Sequence, residues 1–456
     1  MKRALRGFVE KLNFGMDKWM PDSIILAFGL TIVTFVFGII ATDQTPWQMI
    51  MHWGDGFWEF LTFAMQMFMA LAAGYTAASS PPGKRFLRRL AKIPKTPIGA
   101  VLFTCYFLAV ISWFNWAVGL IVAAFLAREI AANHKKLEFK LLIAVGYCVS
   151  ICIGILGPST PEFLLSATPG SFIEQYLGKV IPLSDTIFDT GLLVGEVLVF
   201  FIAIPLLVWI IHPSKEETPE LSEEIMERFR AQDEAALEMA RNEKPKSEMT
   251  FAERCDNSRI LNYIFCIPAV MYIVNHFVQN GFDMSLNIMN FIVLIAGILL
   301  HGTPKSLNAA FEEGAKGAYG VALQFPIYAG IQGMISGSGL IAIIANYFAS
   351  VSSPETFVHF TYLCGVILNI FVPSSGGLFM VAGPAMATAG NLLGVPPHQT
   401  IIAFTLGEVI SNMIQPFWAI SLLGIAGLKM KDIMGYCILF FIIATVLFNG
   451  VMIIFW

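Results

Sequence analysis

Four short stretches of this chain bring hydrogen-bonding residues and helix breakers together inside otherwise apolar sequence. They are Ser112-Trp-Phe-Asn115-Trp-Ala-Val-Gly119, Gly154-Ile-Leu-Gly-Pro-Ser-Thr-Pro161, Asn369-Ile-Phe-Val-Pro-Ser-Ser-Gly-Gly377 and Ser411-Asn-Met-Ile-Gln-Pro-Phe-Trp418. Proline removes an amide donor and clashes with the preceding turn, while glycine permits backbone shapes that free N–H groups. A helix restarting after such a break presents about half a positive charge and unsatisfied amides, which suits a carboxylate without any arginine. The candidate substrate-binding residues are therefore Asn115, Ser159, Thr160, Ser374, Ser375, Gly376, Gly377, Ser411, Asn412 and Gln415. The competing explanation is that proline kinks and small residues are ordinary packing devices in membrane bundles. Four breaks that pair through a repeat are harder to explain that way.

Glu408 is the only Asp, Glu, Lys or Arg between Glu355 and Lys429, just ahead of the Ser411-Asn412 break. A carboxylate at the bilayer centre costs at least ~2.5 to 3.5 kcal/mol on insertion scales, which makes it a functional suspect by default. The expectation is that Glu408 handles a coupling proton or helps bind a cation. The alternative is a neutral or interfacial side chain bonded to the neighbouring bundle. Glu196 falls close enough to a helix end to be expected in interfacial water, and His359 and His398 are placed near the outer surface. Trp113, Phe114, Trp116, Phe371, Phe379, Phe417 and Trp418 cluster around the breaks. Lipid or core packing explains most of them, and some could wall a pocket for an apolar tail.

Enzyme signatures are missing: there is no H-E-x-x-H, G-x-S-x-G, G-x-x-x-x-G-K-[ST] or G-x-G-x-x-G, and neither Ser159 nor Ser374 has a nearby histidine in sequence. The seven cysteines show no metal spacing, no cofactor is expected, and the net charge of −4 gives no reason to invoke nucleic acid. The residues leave the coupling ion open between a proton and sodium.

The elements that must hold these breaks are membrane helices. Hydrophobic residues make up 56% of the 456 positions and charged residues 13%, where soluble domains carry roughly a quarter. Charge-free windows long enough for the ~20 residues of a crossing recur along the whole chain, and the alternation of a strand barrel is absent. The expected fold is all-α and polytopic, with nine crossings, two re-entrant hairpins (the first at residues 98–132) and paired discontinuous helices. With the N-terminus cytoplasmic and the C-terminus periplasmic, 27 of the 28 Lys and Arg residues face the cytoplasm, leaving only Lys179 outside.

At an offset of 258, residues 63–133 align without a gap on 321–391, pairing Gln66 with Gln324, Gly119 with Gly377 and Asn133 with Asn391. The basic stretch Lys84 to Lys95 corresponds to the uncharged Ala342 to Ser353. Opposite membrane sides for corresponding loops is what an inverted repeat requires. The expected division is 1–212 as the first half, 213–259 as a charged cytoplasmic linker, 260–280 as a connecting crossing and 281–456 as the inverted second half. The linker, with thirteen acidic and eight basic residues from Pro213 to Arg259, is expected to be solvated and partly helical.

Phe371-Val-Pro-Ser-Ser-Gly-Gly-Leu-Phe-Met-Val-Ala-Gly-Pro-Ala-Met386 and Ser411 to Ile420 resemble the bacterial short-chain fatty acid transporter family, as do Gly157 to Glu162 and Trp113 to Ile130. The likeness extends over nearly the whole chain and places it in a wider ion-transporter superfamily. It implies import of a monocarboxylate such as butyrate or acetoacetate across a bacterial inner membrane. It also implies an elevator in which a transport domain slides against a dimeric scaffold, hence a homodimer in lipid. Relatives in that superfamily carry dicarboxylates or aminobenzoyl-amino-acid anions, which is the alternative cargo; a membrane-embedded acyl enzyme is the more distant one. The dicarboxylate carriers bear Ser-Asn-Thr at their hairpin tips, whereas here the tips read Phe114-Asn115-Trp116 and Pro373-Ser374-Ser375-Gly376. No sodium ligand is carried over, and the metal assignment stays unknown.

Overall fold

The computed structural model describes residues 23–214, 216–223, 225–227, 229, 245–281, 284–371, 374–415 and 418–456. Among these the regular structure is helical, apart from one isolated bridge between Lys136 and Glu220. The first part runs α1 (Ser23–Ala41), α2 (Pro46–Gly56), α3 (Leu61–Ala78), α4 (Pro81–Leu90), α5 (Pro97–Phe114), α6 (Trp116–Asn133), α7 (Phe139–Gly154) and α8 (Pro161–Ala167). Short helices α9 (Glu174–Leu177) and α10 (Leu183–Ile187) lead to α11 (Thr190–Glu196), a π-helical stretch Val197–Ala203, and α12 (Ile204–Ile211). After the linker come α13 (Phe251–Asp256), α14 (Arg259–Asn280), α15 (Leu286–His301), α16 (Pro304–Gly337) and α17 (Leu340–Val351). The chain ends with α18 (Pro354–Phe371), α19 (Ser375–Leu393), α20 (Pro397–Ser411), α21 (Ala419–Ala426) and α22 (Met430–Phe455).

Local sequence sets many of these boundaries. Thr45-Pro46, Ser80-Pro81, Thr96-Pro97, Thr160-Pro161, Thr303-Pro304 and Ser353-Pro354 each open a helix at the proline. Proline at the first helical position gives up only an amide that had no partner there, and the preceding hydroxyl can cap the first turn. Thr96 Oγ1, for example, accepts from the Gly99 amide at 3.1 Å. Pro205 lies just after the π-helical stretch, where the wider turn absorbs the hydrogen bond that proline cannot make.

The two parts of the chain repeat one succession of elements. Helices α5, α6, α7 and α8 are matched by α18, α19, α20 and α21, with starts 257 to 259 residues apart. In both sets the third helix packs against the first two. Helix α16 crosses α3, α2 and α1, which joins the ends of the chain into one core.

Among the described residues eight helices are long and apolar enough to cross a membrane, or nine if α16 and α17 count as one span bent by 76°. The composition differs from the nine crossings expected. Three of the eight, α5, α6 and α19, are arms of the expected hairpins, while α7 and α15 are apolar helices of 16 residues. The charge-free window Gly317 to Pro354 is not one straight helix. It bends at Gly339, whose φ of +83° is open to glycine and strained for other residues. Most described residues of the linker are exposed or half-buried, and its first part also docks against the helices. The Leu137 amide donates to the Pro219 carbonyl at 3.0 Å, the Leu221 amide to Lys135 at 3.2 Å, and Phe229 is buried beneath the Arg128 guanidinium.

Candidate functional site

The first helix pair breaks at one residue. Asn115 is extended (φ −156°, ψ 116°) between α5 and α6, and its Oδ1 accepts from the Val118 amide at 2.9 Å. Ser112 and Gly119, expected within the break, lie inside the flanking helices. The corresponding break between α18 and α19 ends at Ser374, also extended (φ −147°, ψ 109°). Gly376 and Gly377 belong to the first turn of α19, and Asn369 to the last turn of α18. Val372 and Pro373 lie outside the described residues.

The two interrupted crossings pass beside these tips. Between α7 and α8, residues 155–160 unwind, and Thr160 Oγ1 donates to the Gly157 carbonyl at 2.6 Å. Ser159 reaches the first tip, its Oγ accepting from the Trp116 amide at 3.0 Å. Gly157 permits that approach, since a Cβ there would run into the Trp113 carbonyl oxygen. Between α20 and α21 the chain unwinds from Asn412, with Pro416 and Phe417 outside the described residues. There Asn369 Nδ2 donates from the second tip to the Glu408 carbonyl, Ser411 Oγ and Asn412 Oδ1, each at 2.9 Å.

Contacts across the repeat close the set. The Tyr147 hydroxyl of α7 sits 2.7 Å and 2.8 Å from the carbonyl oxygens of Asn412 and Gln415, donating to the pair. Trp116 meets Trp418 edge to face at 5.4 Å between ring centres. The Ser375 hydroxyl donates to Glu162 Oε1, linking α19 to α8. All ten candidate residues thus sit at the four breaks. Asn115 is half-buried, and the other nine are buried. No Lys, Arg or His occurs in the four break segments.

Glu408 is fully buried in the last turn of α20, and it is not alone. Glu162, in the first turn of α8, is equally buried, and the two carboxyl groups lie within hydrogen-bonding reach of one another. In the sequence Glu162 is inconspicuous because it sits at the end of a charge-free window. The test that isolates Glu408 also finds it, as the only Asp, Glu, Lys or Arg between Lys140 and Glu174. Glu196 corrects the interfacial expectation. It is 4% exposed, seven residues into its span at the edge of the π-helical stretch, and its carboxyl lies against the Trp113 side chain near the first tip. His359 pairs with Asn449 at 2.9 Å, and His398 lies 3.9 Å from Asp189, both away from the breaks.

One prediction arises from the Ser159 contact. Ser159→Ala leaves the buried Trp116 amide without its acceptor, a cost of about 1–3 kcal/mol. Thermal unfolding of the purified variant should show that loss; a midpoint equal to wild type would mean another acceptor takes over.

Comparison with known proteins agrees with this architecture. The family model described as "Short chain fatty acid transporter" matches residues 4–455. An Escherichia coli (strain K12) protein provisionally named a short-chain fatty acid transporter is 36% identical over 440 residues, covering 96% of this chain and 95% of that protein. One of the same name from Haemophilus influenzae is 34% identical over 428 residues, covering 92% and 93%. Among solved structures, the Alcanivorax borkumensis YdaH transporter, described as having an unusual topology, aligns with a TM-score of 0.57 at 12% identity over 95% of this chain and 97% of that one. Neisseria gonorrhoeae MtrF aligns at 0.53 and 13% identity over 98% and 96%. These structures share the fold. Taken with the matches over nearly its full length, the chain is a multi-pass membrane protein and belongs to the short-chain fatty acid transporter family, a family of transporters and not of enzymes.

Proposed function

We propose that this protein is a secondary active carrier that imports a short-chain monocarboxylate, such as butyrate or acetoacetate, across a bacterial inner membrane, driven by a cation gradient. In this reading α5–α6 and α18–α19 are re-entrant hairpins of an inverted repeat, with the N-terminus cytoplasmic and the C-terminus periplasmic. They move with the interrupted crossings as the transport unit of an elevator, against a scaffold shared by two protomers.

The observation that carries the proposal is the joining of all four breaks by side chains from both halves. Non-helical backbone at membrane depth persists only where it is buried in protein or lines a wet cavity. The first-turn amides of α19 then offer donors to a carboxylate, and Asn412 Nδ2, buried without an acceptor among the described residues, offers another. With no basic side chain in the breaks, one carboxylate is better matched than two. The surrounding Trp116, Trp418 and Phe379 suit a short apolar tail.

Counterflow and gradient-driven uptake of labelled butyrate in proteoliposomes test this directly. Hydrogen bonds to charged groups are worth about 1.5–3 kcal/mol, so Asn412→Ala should raise the apparent KM by roughly tenfold or more. Ser374→Ala and Gln415→Ala should raise it as well. Unchanged affinity in all three would place binding elsewhere, and competition by succinate equal to that by butyrate would favour a dicarboxylate cargo.

A further inference from the structure

We propose that Glu162 and Glu408 act as one acid pair that takes up a proton as the transported anion binds and gives it up as the anion leaves. The pair, and neither residue alone, is then the ion-coupling element of the carrier. This rests on reading the four breaks as an anion site, and it assigns the coupling ion that the residues by themselves leave open.

Three observations carry it. Each glutamate is the lone Asp, Glu, Lys or Arg in a long stretch of sequence, and each is completely shielded from solvent. They come from opposite halves of the chain, α8 and α20, yet their carboxyl groups are within hydrogen-bonding reach. The Ser375 hydroxyl donates to Glu162 Oε1 and lies within reach of Glu408 as well, and among the described residues no further side-chain N–H or O–H reaches Glu162 Oε2 or either Glu408 oxygen. Two carboxylates this close in a dry site cannot both stay ionised, so at least one proton sits between them. That proton also supplies the donor the geometry otherwise lacks.

The surroundings add no competing charge. Among the described residues the uncharged titratable groups on the packed elements are Tyr147, Cys148 and Cys152 of α7, Tyr362 and Cys364 of α18, Tyr319 and Tyr328 of α16 and Tyr436 and Cys437 of α22, all neutral when protonated. The charged or basic residues of those elements lie at or toward their far ends: Lys140 on α7, His398 on α20, Glu355 and His359 on α18, Lys431 and Asp432 on α22, His301 on α15, and Lys305, Glu312, Glu313 and Lys316 on α16. Asp185 of α10 is exposed. His398 is ten residues from Glu408 along α20, about 15 Å at helical rise.

Coupling follows from where Ser375 stands. It opens α19, whose first-turn amides face the proposed anion site, and its single hydroxyl proton is donated to Glu162. With one proton the pair carries one negative charge, which repels an arriving carboxylate and keeps the Ser375 hydroxyl engaged. A second proton, drawn from the aqueous side open to the site, forms an O–H bond on the remaining carboxylate. It removes the repulsion and frees the serine to donate to the substrate. When the anion departs on the other side that O–H bond breaks and its proton goes to water there. By linkage, protonation must raise anion affinity by the factor by which the anion raises proton affinity.

The experiment is calorimetric titration of the purified full-length protein with butyrate in two buffers of different ionisation enthalpy, repeated across pH. Wild type should take up about one proton per butyrate, with affinity falling toward tenfold per pH unit on the alkaline side. In Glu162→Gln and in Glu408→Gln, proton uptake should vanish and affinity should become independent of pH. Glu408→Asp, which keeps a carboxyl, should retain proton uptake and covers the case of a glutamine variant that does not fold. Butyrate binding without proton uptake in wild type, uptake unchanged in both glutamine variants, or affinity that follows sodium at constant pH would each overturn the assignment. Infrared spectroscopy of the protein without butyrate separates the two readings. A protonated-carboxyl stretch lost in each glutamine variant supports the pair even if butyrate fails to bind, and its absence in wild type overturns it.

Discussion

Replacing Asn369 with leucine should reduce butyrate uptake to below about a tenth of wild type, because this one side chain organises the whole second interrupted crossing. Its Nδ2 shares two hydrogens among three acceptors at 2.9 Å: the Glu408 carbonyl, Ser411 Oγ and Asn412 Oδ1. Leucine has similar bulk and no donor. The Glu408 carbonyl keeps the Ser411 hydroxyl at 2.7 Å, but Ser411 Oγ and Asn412 Oδ1 would lose their donor in a buried setting. Each such loss costs about 1–3 kcal/mol, and together they exceed what holds a short unwound segment in one shape. Uptake in proteoliposomes, normalised to inserted protein, is the measurement. Near-normal uptake by Asn369→Leu would show that the segment from Asn412 is held by its backbone, and the account of the site would need rebuilding.

The second large effect is expected from a single methyl group. In Gly157→Ala the added carbon would land on the Trp113 carbonyl, which is main chain and cannot rotate away. The unwound segment and the first helix-pair tip must then separate, taking the Ser159 contact with the Trp116 amide with them. Overpacking of this kind costs about 1–3 kcal/mol and sometimes more. Uptake should fall at least tenfold while the protein still inserts. Gly450→Ala is the control: it sits in α22 with nothing within 4 Å of the added carbon, so it should transport normally and gain up to ~1 kcal/mol of helix stability. Equal activity in the two variants would mean the tip is not held against the crossing.

The breaks were legible because their causes are local. Pro158 and Pro161 with Gly154 and Gly157, or Asn115 among tryptophans, interrupt a helix whatever packs around them. Their extent was less legible. Ser112 to Gly119 reads as one irregular stretch, but only Asn115 leaves helical geometry, since the Asn115 cap on Val118 restarts the helix at once. Glu196 departs from its expected interfacial position for a related reason. Distance from a helix end says little about water when Trp113 of another helix lies over the carboxyl.

By itself the sequence determined that lipid is the solvent, where the helices must be interrupted, and that a repeat at an offset of 258 residues governs the order of elements. In hydrocarbon every backbone group must be satisfied within its own segment, so composition alone dictates helix and break. Only the tertiary structure decided which breaks meet, that Glu162 stands against Glu408, and that Asn369 ties the second tip to the crossing after it. Those contacts join residues tens to hundreds of positions apart, and no periodicity along the chain specifies which side chain will arrive beside which.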